Sequence, residues 1–318
     1  MSERSVVALS GGVGGAKLVL GLDRILPPGA LTVIVNTGDD FEHLGLAISP
    51  DIDTTLYTLA GLANAQLGWG RADETWSFMA ALEELGGEVW FRLGDKDLAL
   101  HIERTRRRAA GQALSRIVAD VAARLGIGSR VLPMTDDPVR TRVRTAQGVL
   151  DFQHYFVRER CAPAVSGIEY HGAERARATP AGLAALAEAQ LECVILCPSN
   201  PYLSLEPLLA IPAWREGLLA CPAPVVAVSP IIGGEAVKGP TAKIMRELGL
   251  ASSALTVARH YGQLLDGFVL DEADAPLVPQ LQLPVHVTRT LMRTEEDKRL
   301  LARETLAFAA SLRRTGGG

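Results

Sequence analysis

The chain predicts an α/β protein with a Rossmann-like, mostly parallel sheet, helices on both faces, and an inserted helical and antiparallel-hairpin subdomain. Three observations carry this. Short runs at residues 6–9, 31–35, 193–197, 225–228, 268–270 and 285–287 are apolar nearly throughout, not at every second position. Strands buried on both faces have that pattern. Stretches of helical period lie between the runs. The first run ends in SGGVGGAK, a strand-to-helix turn with four glycines in five positions.

Taken in order, residues 6–9 and 31–35 are strands. Between them Leu18, Leu22 and Ile25 recur at helical spacing over 16–25, and Pro27-Pro28-Gly29 stops the helix. That is a βαβ unit, whose crossover is expected to be right-handed. Helical patterns follow at 54–62, 74–85, 98–110 and 113–125. Residues 139–145 and 149–157, joined around Ala146-Gln147-Gly148, read as an antiparallel hairpin. Strands return at 193–197, 225–228, 268–270 and 285–287. Helices are expected at 214–219, 241–248, 254–265 and 295–312. The domain reading is a nucleotide-binding core of 1–53 with 181–314, an inserted substrate subdomain at 54–180, and a flexible tail at 315–318.

With 318 residues, 48% of them hydrophobic, the chain can bury a full core. Its formal charge of −4 offers no electrostatic reason to expect nucleic acid as a partner. The run Glu103-Arg104-Thr105-Arg106-Arg107-Arg108 is the one basic cluster and reads as a solvated helix face, or else as a contact with an anionic substrate or a subunit neighbour. Four cysteines form no CxxC pair, and Cys193 and Cys197 read as buried strand thiols. The start MSERS lacks a secretory pattern and no run of eighteen apolar residues occurs. No membrane partner and a cytoplasmic location are expected.

Backbone can approach a phosphate closely where Cβ atoms are missing, and the helix that follows supplies free N–H groups and the positive end of its dipole. Gly11, Gly12, Gly14 and Gly15 meet that demand, and Lys17 adds a charge. The turn is neither familiar nucleotide motif. A P-loop needs G-x-x-x-x-G-K-[ST], and here Ala16-Lys17-Leu18 stands at its end. The dinucleotide fingerprint fails at Lys17, where its third glycine belongs, and at Asn36, where an acid would read the ribose.

The second strand runs into Asn36-Thr37-Gly38-Asp39-Asp40, then Ser49-Pro50-Asp51-Ile52-Asp53-Thr54-Thr55. Ligands of open α/β sheets bind beyond the carboxyl ends of strands, so these acids fall near the glycine turn. Acids beside a phosphate repel it unless a divalent cation lies between, and hard oxygen ligands suit Mg²⁺. Asp51 and Asp53 fit helix capping as well as chemistry. Asp39-Asp40 has no capping duty. His43 reads as a bystander, Asp136-Asp137-Pro138 as a turn or a second cation contact, and 229–239, with Lys238, as a further loop near phosphate.

SGGVGGAK (10–17), NTGDD (36–40), SPDIDT (49–54), RLGDKD (92–97), MTDDP (134–138), PSNP (198–201) and SPIIG (229–233) occur together and in this order. As a set they resemble the 2-phospho-L-lactate transferase (CofD-like) family of coenzyme F420 biosynthesis, over essentially the whole chain. The resemblance implies an enzyme that moves a phospholactyl-type group from a guanosine diphosphate ester to the ribityl hydroxyl of the deazaflavin FO. GMP is released, Mg²⁺ is needed and a homodimer is usual. The group is a three-carbon acid: lactate, enolpyruvate or glycerate.

By the same resemblance, Asp53 and Arg92 contact FO, and Ser199, Asn200 and Pro201 hold the guanosine part. Asp39, Asp40 and Asp51 lie on the metal side, with Asp39, Asp40 and Asp53 serving catalysis. Direct displacement is expected, because no Ser or Cys nucleophile has a base nearby, with Asp53 either only orienting the hydroxyl or also deprotonating it. Lys17, where arginine stands in actinobacterial members, and Phe41-Glu42-His43 after the acidic pair depart from the family pattern. The rival reading is a non-catalytic, nucleotide-sugar-binding regulator resembling the gluconeogenesis factor family.

Overall fold

The computed structural model describes residues 4–64, 68–237 and 239–312; Lys238 and the tail 315–318 lie outside the described residues. The main sheet has seven strands: β1 (Ser5–Ser10), β2 (Leu31–Val35), β3 (Arg130–Pro133), β4 (Leu191–Leu196), β5 (Val225–Val228), β6 (Gly267–Asp271) and β7 (Val285–Thr288). They pair in the order β7-β6-β5-β4-β1-β2-β3, and every pairing is parallel. The expected Rossmann-like α/β sheet is what forms.

Double-sided burial explains the continuous apolar runs. Along β1, Val7 and Leu9 enter one core with Leu196 and Trp214. Val6 and Ala8 enter the other with Leu18, Leu22 and Leu301. Burying each such valine or leucine stabilises the fold by roughly 1.5–3 kcal/mol, so both faces must be covered. Helix α1 (Gly12–Ile25) and the C-terminal helix Glu295–Ser311 help to cover the second face.

The strand order reverses at β1. The chain moves outward through β2 to β3, then returns to build β4 to β7 on the other side. Loops leaving β1 and β4 therefore part, and the crevice between them is where open α/β sheets take ligands.

The 54–180 span contains helices α3 (Ser77–Glu84), α4 (Asp95–Ala109) and α5 (Leu114–Arg124). It also delivers β3, which the sequence reading did not assign, to the edge of the main sheet beside β2. The hairpin forms as Arg140–Thr145 against Gly148–Asp151, shorter than expected. Phe152 and Tyr155 turn inward three residues apart, a helical spacing, and the chain enters a wide helical turn at His154–Arg158. A third strand, Val165–His171, pairs on the other side of Arg140–Thr145.

Helix α2 (Pro50–Leu59) begins four residues earlier than the sequence pattern suggested, with Ser49 as N-cap and Pro50 in its first turn. Asp51 and Asp53 are thus inside the first turn, not ahead of it. Among the described residues no helix is long and apolar enough to cross a membrane.

Candidate active site

A cavity of about 620 Å³ opens at the carboxyl end of the sheet, lined by residues from the loops after β1, β2, β4, β5 and β7 and by the 54–180 span. Ligand sites for small molecules commonly have this size and place.

Helix α1 starts inside the glycine turn. Gly11 is its N-cap without a side-chain cap, and no acid of the helix itself stands in its first turn; the Gly12 N–H donates to the Asp51 carboxylate, which helix α2 brings to this end. Gly12 has φ +63°, the left-handed region that glycine adopts freely. A Cβ on Gly14 would lie 2.4 Å from the Pro198 carbonyl oxygen, and one on Gly15 2.5 Å from Ser199 Oγ. The glycines thus serve the close approach of the PSNP loop as well as a bare backbone surface. Ser199 Oγ ties the two loops: it accepts from Gly11 N–H at 3.1 Å and donates to the Gly11 carbonyl at 2.7 Å.

Asn200 caps the turn after β4, its Oδ1 accepting from the N–H groups of Tyr202 and Leu203. Its acceptor is therefore spent, while Nδ2 is buried without a protein partner in a residue that lines the cavity. Pro201 is buried in that turn, and neither it nor Gly15 lines the cavity. Lys17 Nζ reaches across to the Met292 carbonyl at 3.0 Å, and both residues are in the cavity wall.

Asp39 and Asp51 converge. One amide nitrogen, Asn36 Nδ2, donates to Asp39 Oδ1 at 3.1 Å and Asp51 Oδ2 at 2.9 Å. Both carboxylates are buried and both line the cavity. Burial and the Asp51 charge push the Asp39 carboxyl well above its ordinary value. Burial raises Asp51 to about 6 against hydrogen bonds from Asn36 and Gly12. Two buried carboxylates held by one amide are hard oxygen donors of the kind that could hold a cation. Asp40 is not brought to the cavity: it lies behind, taking a hydrogen bond from Ser49 Oγ at 2.8 Å, and burial raises it to about 7.

A second cluster joins α2 to α4. Asp53 and Tyr57, one turn apart on α2, face Asp97, His101 and Arg104 on α4. The two terminal guanidinium nitrogens of Arg104 each donate to one Asp53 oxygen, and Arg104 is 1% exposed. The basic run is therefore not wholly a solvated face: Arg106 lies outside on Glu103, while Arg104 is in the core of the site. His101 lies between two carboxylates, Nε2 3.2 Å from Asp97 Oδ2 and Nδ1 3.7 Å from Asp53 Oδ2. Tyr57 Oη donates to Asp97 Oδ1 at 2.5 Å.

Proximity alone would let Asp53, Asp97 and His101 hold a metal. Arg104 and Tyr57 already occupy three of the four carboxylate oxygens, and a guanidinium repels a cation. Asp39 and Asp51, hard oxygen donors bridged by a neutral amide, fit Mg²⁺ better.

Arg92 lines the cavity with its guanidinium 4.1 Å from the centre of the Trp76 ring. Aromatic walls come from Trp69, Trp90, Phe91 and Phe152. Sequence reasoning missed these, and also Asn36, Tyr57, His101 and Arg104. One signal was present: Asp97, His101 and Arg104 recur at i, i+4 and i+7, one stripe of a helix. His43 packs its ring on Trp90, centroids 4.9 Å apart, and is not in the cavity wall. Asp136 accepts from Ser115 at the start of α5, and Asp137 binds Arg177; this stretch is structural. Of the 229–239 loop, Ser229, Pro230, Ile232, Val237 and Gly239 line the cavity.

Fold and site define the class: a doubly wound α/β protein with its large cavity at the reversal point of the sheet, between a bare helix end and buried carboxylates. The chain belongs to the 2-phospho-L-lactate transferase (CofD) family, transferases of coenzyme F420 biosynthesis, whose model matches residues 6–302. It is 42% identical over 318 residues to a phosphoenolpyruvate transferase of Kitasatospora aureofaciens, covering 97% of this chain and 98% of that one. It is likewise 42% identical over 311 residues to a 2-phospho-L-lactate transferase of Methanopyrus kandleri, covering 96% and 98%. A crystal structure of a UPF0052 family member from Bacillus halodurans shares the fold: TM-score 0.63, 13% identity, 96% of this chain and 100% of that one.

Proposed function

We propose that the protein transfers a three-carbon phospho-acid group, phospholactyl, phosphoenolpyruvyl or phosphoglyceryl, from its guanosine diphosphate ester to the ribityl hydroxyl of FO, releasing GMP. One observation carries this reading: the N-terminal end of α1, the Asp39–Asp51 pair, Asp53 and the aromatic walls all border one cavity. A diphosphate suits the helix end, and a flat deazaflavin suits walls of Trp69, Trp90 and Phe91. A homodimer in solution is part of the proposal.

Asp39 and Asp51 are the residues that would hold Mg²⁺, with Asp40 behind them. The cation supplies neutralisation of diphosphate charge, which phosphoryl transfer needs more than covalent help. The chain's own groups do the rest. First-turn N–H groups of α1 and Lys17 face the phosphates of the departing GMP. Asn200 Nδ2 offers a donor to the guanosine part. Asp53, locked by Arg104, fixes the hydroxyl in line with the phosphorus, and Arg92 anchors the deazaflavin ring system. Holding two reactants in register is itself a large rate effect.

The test is direct. Purified protein is incubated with FO and each guanosine diphosphate donor, with and without Mg²⁺. The phosphodiester of FO and an equal amount of GMP should appear only with the metal. Binding of nucleotide without any GMP formation would overturn the enzymatic reading in favour of a sensor.

A further inference from the structure

The displacement forms a bond between the ribityl oxygen and phosphorus and breaks the bond from phosphorus to the GMP oxygen. The hydroxyl proton must also go somewhere. Asp53 touches the hydroxyl in the reading above, but Arg104 already donates to both of its oxygens. Asp39 and Asp51 are committed to the cation. Among the described cavity-lining groups, one imidazole stands beside Asp53 without a hydrogen bond of good geometry at either nitrogen, and that is His101.

The surroundings of His101 are built. It is 1% exposed, on α4, with Asp97 one turn before it. Asp97 Oδ2 is the nearer carboxylate at 3.2 Å from Nε2, and its other oxygen is pinned by the Tyr57 hydroxyl. A neutral imidazole that donates from Nε2 toward this nearer carboxylate carries its lone pair on Nδ1. Nδ1 points to the Asp53 side, 3.7 Å from Oδ2. A carboxylate beside one ring nitrogen, with the other beside the residue that positions the hydroxyl, is the arrangement of a general base and its orienting partner.

We propose that His101, oriented by Asp97 and Tyr57, accepts the proton of the attacking hydroxyl at Nδ1, while Asp53 and Arg104 only position that hydroxyl. This rests on the transfer reaction proposed above. The proton leaves through the open cavity after GMP departs. Asp97 is itself kept below its ordinary value: burial would raise it, but His101, Tyr57 and Arg104 outweigh burial. It therefore stays ionised as the orienting group.

The experiment compares wild type, His101→Gln and His101→Ala with FO, donor and Mg²⁺, and measures FO binding separately by its fluorescence. General bases contribute about 10²–10⁴-fold. His101→Gln should lose at least about 100-fold in kcat, with FO affinity and both KM values little changed. Added imidazoles should restore turnover to His101→Ala, faster as the azole becomes more basic, a dependence that mere filling of space would not produce. Turnover by His101→Gln near the wild-type rate overturns the assignment, as does loss confined to FO binding, or rescue indifferent to azole basicity. Failure of wild type itself to form GMP would strike the underlying reaction instead.

Discussion

Replacing Arg104 by methionine leaves the Asp53 carboxylate buried, with Asp97 nearby and the guanidinium countercharge gone. Arg104 is 1% and Asp53 6% exposed, and the fork spans both oxygens, so little of the attraction is screened. Breaking a buried pair from one side costs about 3–5 kcal/mol. Unfolding entropy near 2.1 cal/mol/K per residue gives roughly 0.7 kcal/mol/K for this chain. The melting temperature should then fall by about 4–8 °C. The double variant Asp53→Asn with Arg104→Met removes both charges and should recover much of that loss, since uncharged replacements of a buried pair are often near neutral. Thermal scans at one fixed rate and urea midpoints would measure all three proteins. A single variant within about 1 kcal/mol of wild type, the range of an exposed pair, would refute the reasoning. So would a double variant no better than the single.

Asn200→Ala should cost about 1 kcal/mol by loss of the cap. Asn200→Asp keeps the cap acceptor, so it should melt close to wild type yet bind GDP more weakly by calorimetry, having lost the Nδ2 donor. Gly14→Ala places a Cβ 2.4 Å from a backbone carbonyl of the PSNP loop, and overpacking of this kind costs about 1–3 kcal/mol; melting temperature and GDP affinity should drop together. Burial raises Asp40 to about 7, so its contribution to stability is complete below its unfolded value near 3.8 and is lost as pH rises through about 7. In EDTA the wild type should therefore melt higher at pH 5.5 than at pH 8, and Asp40→Asn should flatten that slope. Adding Mg²⁺ should raise the melting temperature more at pH 8 than at pH 5.5, because ligation needs ionised Asp39 and Asp51.

The strands were legible because double-sided burial writes itself into consecutive residues: 31–35 and 225–228 coincide with β2 and β5. β3 escaped because Arg130-Val131-Leu132-Pro133 is short, begins with a charge, and sits at the sheet edge. The site was legible where glycine, proline and acidic residues cluster in sequence, as in 10–17, 36–40 and 198–201. Asn36 was read only as a missing acid, yet its amide bridges Asp39 and Asp51. Arg104 was read from its neighbours in the chain, which are solvated, although its own place on the helix turns it inward.

Local chemistry decided, from the letters alone, that this chain folds as a parallel α/β sheet with a bare helix end and acids at its ligand edge. Burial periodicity and turn residues act over a few positions and need no distant partner. The tertiary structure alone decided which charges meet: that Arg104 neutralises Asp53, that Asp40 stands behind the acidic pair, and that His101 lies between Asp53 and Asp97. Those energies depend on separation and burial between helices some fifty residues apart, and no sequence window contains that distance.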